Sequence, residues 1–128
     1  MKITYRSLHT ARLVDAVLFW PLLALVIWGE LADVGAVTGL QIDDKVAHFS
    51  SYFVLGLMAA AAFRERAPVR LAVLSLIVLG GVLEVVQEYV GRDRSLLDQL
   101  ANTAGALTGG VVGRLIVEPL RRRFAPNA

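Results

Sequence analysis

LAVLSLIVLGGVLEVVQEYV, Leu71–Val90, carries no charge in its first thirteen residues and only Ser75 as a polar side chain there. A helix on the surface of a soluble domain needs a polar face recurring every 3.6 residues. This stretch is apolar around its whole circumference. Twenty helical residues rise about 30 Å, the thickness of a bilayer's hydrocarbon core. It therefore reads as a helix that crosses a membrane.

Three more blocks of this kind flank it: Leu13–Gly29, Val46–Phe63 and Leu96–Val117. With 56% hydrophobic residues in 128 and a mean hydropathy of +0.61, little is left for a separate soluble domain. The expected fold is all-α, a single integral-membrane four-helix bundle with helices near 13–29, 46–63, 71–90 and 96–117. A soluble four-helix bundle is the competitor; it fails on the apolar circumference of the first and third blocks. The first block could also be a cleaved signal peptide, cut among the small residues of Ala32 to Ala36, although its apolar run exceeds the usual 7–15-residue core.

Charge supplies the topology. Lys2, Arg6, Arg12, Arg64, Arg66, Arg70, Arg114, Arg121, Arg122 and Arg123 are ten of the thirteen basic residues, and they fall at the two termini and in the second loop. The first and third loops hold only Lys45, Arg92 and Arg94. Basic loops stay in the cytoplasm, so both termini are expected inside and loops one and three outside. Trp28, Phe49 and Tyr89 then mark the outer interface, Tyr5 and Phe124 the inner one. The net charge of +2 and pI near 9.4 reflect this topology and contact with anionic headgroups; no nucleic-acid partner is expected. The absence of cysteine removes disulfides, iron–sulfur clusters and thiol chemistry.

In this topology the polar residues of three helices lie at one depth. Asp44, His48 and Tyr52 recur at i, i+4, i+8 on one face of the second helix. Glu84, Gln87 and Glu88 close the third, and Asp98 and Asn102 open the fourth, with Arg92 and Arg94 on the connector between. A charge in a membrane helix costs about 2.5–3.5 kcal/mol at the bilayer centre and less near the surface. Several at one level point to a shared, outward-opening pocket among helices two, three and four. Gly105, Gly109 and Gly113 make two consecutive GxxxG spacings that let another backbone approach closely, toward the bundle interior or toward a second copy of the chain.

Three ordered patterns carry a resemblance: D-K-x-x-H-F-x-x-Y (Asp44 to Tyr52), E-x-x-Q (Glu84 to Gln87) and R-x-x-S-x-x-D-x-x-x-N-x-x-G (Arg92 to Gly105). Together they resemble the VanZ-like family of small bacterial membrane proteins, whose founding member is associated with resistance to the glycopeptide teicoplanin. The resemblance spans roughly Asp44 to Gly113. It implies a multi-pass protein of the bacterial cytoplasmic membrane with a cell-envelope role, and supplies no reaction. Asp44, Lys45, His48, Glu84, Gln87, Arg92, Asp98 and Asn102 are the matching positions; the Asp93–Arg94 charge pair departs from the pattern.

Four uses of the pocket follow from its chemistry. As structural glue, Asp98 would pair with Arg92 or Lys45, and Glu84, Gln87 and Asn102 would bond between helices; such bonds average about 0.6 kcal/mol. As a binding site, Lys45 and Arg92 would hold an anionic headgroup of a lipid or lipid-linked cell-envelope precursor, with Asp44, Gln87 and Asn102 as further contacts. As an enzyme, His48 would be the general base or nucleophile and Asp44, Glu84 or Asp98 its acid or orienting partner. Asp44, His48, Glu84 and Asp98 are also metal-donor types, but without HExxH or a ligand-spaced histidine pair no metal or cofactor is expected. Transport is disfavoured, since Gly56–Ala62 and Leu71–Val82 offer no ionisable relay.

Overall fold

The local signals for helix ends are strong around the polar residues. Asp43 caps the helix that follows it, its Oδ1 accepting from the backbone of Lys45 and Val46 at 3.0 and 3.2 Å, which satisfies orphan N–H groups of the first turn. Ser95 does the same for Asp98 at 3.3 Å. Gly91 has φ of 80° and ends its helix in the left-handed conformation that glycine adopts without steric penalty. The Arg92 N–H then bonds back to the Gln87 carbonyl at 2.9 Å, the long bond of a Schellman motif.

The computed structural model describes residues 5–32, 34–39 and 42–124, the side chains of residues 5–8, 35 and 36 excepted. Lys2 and the side chains of Tyr5 and Arg6, used above for topology, lie outside the described residues. The described chain is all helical: α1 Tyr5–Leu31, α2 Val34–Thr38, α3 Asp44–Ala62, α4 Arg66–Tyr89 and α5 Leu96–Val112. A π-helical turn over Gly113–Val117 carries α5 into α6, Glu118–Phe124. Four helices are long and apolar enough to cross a membrane: His9–Leu31, Asp44–Ala62, Arg66–Tyr89 and Leu96–Phe124. These are the four blocks expected, lengthened at ends where polar residues continue the helix. Pro68 falls in the first turn of α4, where its missing N–H costs nothing.

α3 and α5 form the most extensive contact and make the axis of the bundle. On α5 the buried positions are Asp98, Asn102, Gly105, Ala106, Gly109 and Gly110, a stripe spaced by threes and fours. Gly105 and Gly109 meet the backbone of Phe49 and Phe53 across the interface, and Gly113 meets Leu57 and Ala60. The GxxxG stripe is thus occupied by α3 of the same chain, and a second copy of the protein would have to dock elsewhere.

α1 and α4 lie outside this pair, and their apolar side chains face outward. Leu13, Val17, Trp20 and Leu25 are 53–68% exposed on α1, and Leu71, Leu74 and Val78 are 58–66% exposed on α4. A contiguous apolar jacket of this extent is foreign to a soluble monomer.

The end of the bundle remote from His48 is held by ion pairs. Buried Glu118 accepts from Arg12 Nη2 at 2.8 and 2.9 Å and from Arg122 Nε at 3.0 Å. Arg121 bonds Asp15 at 2.5 Å and the Ala61 carbonyl at 2.8 Å. These contacts tie α1, α3 and α6 together and explain why the last helix runs on past Val117.

Candidate functional site

His48 sits one turn inside α3, 7% exposed, where Asp43's cap has already fixed the helix direction. Its Nδ1 lies 2.9 Å from Asn102 Oδ1 on α5. With the amide oxygen as acceptor the ring donates from Nδ1, and Nε2 faces Asp98 Oδ2 at 3.8 Å. Glu84 arrives from α4, 3% exposed; one of its oxygens accepts the Ser95 N–H at 2.8 Å, so the α4–α5 connector holds that side chain in place. Lys45 reaches Asp98 Oδ1 at 3.7 Å from the rim, its side chain half exposed. His48, Glu84, Asp98 and Asn102 therefore do share one chamber, drawn from α3, α4 and α5.

Two members of the expected set turn elsewhere. Gln87 donates to the Glu30 carbonyl at 2.9 Å. Arg92 Nη1 donates to the carbonyls of Glu30 and Ala32 at 2.7 and 2.9 Å, with Gly29 at 3.4 Å. The last carbonyls of a helix have no partners within it, and in an apolar setting an unmet carbonyl is costly. Gln87 and Arg92 meet this need for α1, and the Gly91 turn aims Arg92 at it. Asp44 is exposed and stands at the mouth of the chamber.

The polar spacing pointed to a chamber among three helices; α1 supplies a fourth wall. Glu30, 6% exposed, places Oε1 3.4 Å from His48 Nδ1. Tyr52, fully buried one turn below His48, has its hydroxyl within electrostatic range of Glu30 and Glu84. The signal for Glu30 was present: an acid closing an apolar block whose outward end matches the depth of His48. Tyr52 shares the face of Asp44 and His48 at i, i+4, i+8, which is the signal that places it here.

The chamber communicates with a cleft of about 720 Å³ between α1 and α3. Its polar end is lined by Glu30, Asp44, His48 and Arg92, its other walls by Leu22, Leu25, Val26 and Val54. Leu25 and Val54 are 59% and 42% exposed, so the apolar part opens sideways between the helices. From His48 to Val54 the helix rises about 9 Å, which sets the span over which the lining changes from polar to apolar.

Several buried oxygens and one nitrogen in the chamber have no hydrogen-bond partner: both carboxylate oxygens of Glu30, Glu84 Oε1, Asp98 Oδ1, the Tyr52 hydroxyl and Asn102 Nδ2. His48, Glu84 and Asp98 each offer a donor atom, and these atoms lie within 4.8 Å of one another. Fold and site define an all-helical protein with four helices fit to span a membrane and an acidic, histidine-centred chamber at one end. No protein-family model matches the chain, and neither curated proteins nor solved structures give a match.

Proposed function

We propose that this is a multi-pass membrane protein which recognises an amphiphilic cell-envelope molecule with an anionic headgroup, taken into the cleft from the surrounding bilayer. The observation that carries the reading is the cleft itself: one volume, polar at the His48 end, apolar along Leu22, Leu25 and Val54, and open sideways. A water-soluble ligand gains nothing from the apolar half, whereas a lipid uses both. A volume of this size lies in the range of sites that enclose small molecules. Lys45 at the rim and Arg92 in the lining offer positive charge, and the N-terminus of α3 adds its partial charge beside them.

The distribution of basic residues supports cytoplasmic termini and a chamber on the extracytoplasmic side. Membership of the VanZ-like family, placement in a bacterial cytoplasmic membrane and a link to glycopeptide resistance are proposed on the order of the three motifs from Asp44 to Gly105. Catalysis on a phosphoryl or acyl bond of the ligand extends the same reading, with the His48 imidazole as the proton-transfer group and Glu84 and Asp98 beside it.

The test is lipid retention by purified protein in nanodiscs containing a polyprenyl pyrophosphate and an anionic phospholipid, read by native mass spectrometry. Val54→Trp fills the apolar mouth and His48→Ala removes the polar centre; each is expected to abolish the bound lipid while the protein stays monodisperse. Equal retention by wild type and both variants overturns the proposal. Loss of expression in His48→Ala with unchanged lipid retention in Val54→Trp would favour a cluster that serves helix packing alone.

A further inference from the structure

The chamber contains more negative charge than the described protein neutralises. Glu30, Glu84 and Asp98 bring three carboxyl groups to one imidazole, and all three residues are less than 9% exposed. Two positive groups at most face them: His48 when protonated, 3.4 Å from Glu30 and 3.8 Å from Asp98, and Lys45, half exposed and 3.7 Å from Asp98 alone. Arg92 is engaged by the carbonyls of α1. A buried carboxylate costs several kcal/mol unless a counter-charge and hydrogen bonds attend it. Yet Glu84 Oε1 and both oxygens of Glu30 have neither a donor nor access to water.

We propose that His48, Glu84 and Asp98 hold a single divalent transition-metal ion. Three independent features point to it. The first is the histidine's placement: Nδ1 is occupied by Asn102, and Nε2 faces Asp98 Oδ2 across 3.8 Å. Two bonds of about 2.1 Å to one ion span that distance. Histidine ligands characteristically give their other N–H to an oxygen acceptor, which fixes the ring; Asn102 provides that acceptor, with Glu30 next to it.

The second feature is the unpartnered Glu84 oxygen, which belongs to a side chain 3% exposed and anchored through its other oxygen by the Ser95 N–H. Anchoring through one oxygen leaves the other available to an ion in the chamber. The third is the source of the donors, on α3, α4 and α5, so that an ion would join three helices. Donor type alone marked these residues along the chain, because the histidine and the two acids are 36 and 14 residues apart and form no short ligand motif. One imidazole with two carboxylates suits Zn²⁺ or Mn²⁺ better than Mg²⁺, which keeps a shell of waters.

The site stands apart from the amphiphile reading, since it requires no lipid. Where both operate, the ion supplies the positive charge that Lys45 and Arg92, already engaged, give only in part.

Metal-stripped wild-type protein in detergent, titrated with Zn²⁺ or Mn²⁺ alone, is expected to bind one equivalent by calorimetry and elemental analysis. The Mn²⁺ form is expected to show imidazole-nitrogen coupling in pulsed electron paramagnetic resonance, a readout that needs no variant. Glu84→Gln and Asp98→Asn, close in shape to the parent side chains, are expected to weaken binding at least tenfold, while exposed Asp93→Asn and the cleft variant Val54→Trp retain it. Substoichiometric binding by the wild type, absence of nitrogen coupling, or equal affinity in Glu84→Gln, Asp98→Asn and Asp93→Asn overturns the site. In the first case the buried acids are neutralised by protons. Lipid retention lost in Val54→Trp with metal retained separates this inference from the proposed function.

Discussion

Adding one methyl group at Gly109 is expected to unseat the central helix pair. A Cβ there would fall onto the Phe53 carbonyl oxygen, 2.8 Å from the Phe53 carbonyl carbon and 3.0 Å from the Leu57 nitrogen. All three are backbone atoms of α3 and cannot rotate aside. Restoring the carbonyl carbon to an ordinary separation of about 3.5 Å moves α3 by at least about 0.7 Å, and the carbonyl oxygen, nearer still, demands more. A gap of that size forfeits a quarter to a half of each dispersion contact it opens, and the contacts at Gly105 and Gly113 lie on the same stripe. The cost expected for Gly109→Ala is about 1–3 kcal/mol, the usual range for overpacking. Gly81→Ala is the matched control. Its Cβ meets Gln99 side-chain atoms at 3.5 and 3.9 Å, ordinary contacts, and replacing a mid-helix glycine gains up to about 1 kcal/mol of helix propensity. The two identical substitutions should therefore differ in sign. Equilibrium unfolding in mixed micelles with increasing SDS, followed by circular dichroism, measures both. A Gly109→Ala protein within about 0.5 kcal/mol of wild type, the scale of a neutral surface change, would refute the close-packing argument. So would equal damage from Gly81→Ala.

Arg92→Ala removes the donor to the carbonyls of Gly29, Glu30 and Ala32 at the end of α1, and hydrogen bonds to a charged group contribute about 1.5–3 kcal/mol. Amide exchange at Ala32, whose N–H bonds Trp28, should accelerate about tenfold or more, and unchanged exchange would deny Arg92 its capping role. Glu118→Ala strands Arg12, whose side chain is 19% exposed, and should cost about 3 kcal/mol. Arg122→Ala should cost well under that because Arg122 is 60% exposed; equal losses in SDS unfolding would count against a buried Arg12–Glu118 pair. Because the chain has no cysteine, Asp93→Cys and Glu65→Cys are clean topology probes. In intact cells a membrane-impermeant maleimide should label position 93 but reach 65 only after permeabilisation, and the reverse pattern would invert the orientation.

The helices were legible because their cause is local. The apolar runs of Leu13–Gly29 and Leu71–Val90 need only a count of side chains and a rise per residue, and Asp43, Gly91 and Ser95 mark ends through their own backbone preferences. That His48, Glu84, Asp98 and Asn102 lie at one end of the bundle was legible too, since hydrophobic blocks set a common origin for residues far apart in the chain. Their convergence required the inward faces of α3, α4 and α5, and those are set by packing. Gly105 and Gly109 admit the α3 backbone at Phe49 and Phe53, and that contact rotates His48 toward Asn102. No single-helix pattern encodes the rotation. The same limit explains Glu30, which joins the chamber only because Gln87 and Arg92 pull the end of α1 across its top. It also explains why Arg92, basic and placed beside the site, is committed to carbonyls: unmet backbone groups in an apolar setting demand donors before any ligand does. Sequence determined which segments are helices and at which end of each helix the polar groups fall. Tertiary structure decided which of those groups face one another, because orientation about a helix axis is settled by the neighbour it packs against.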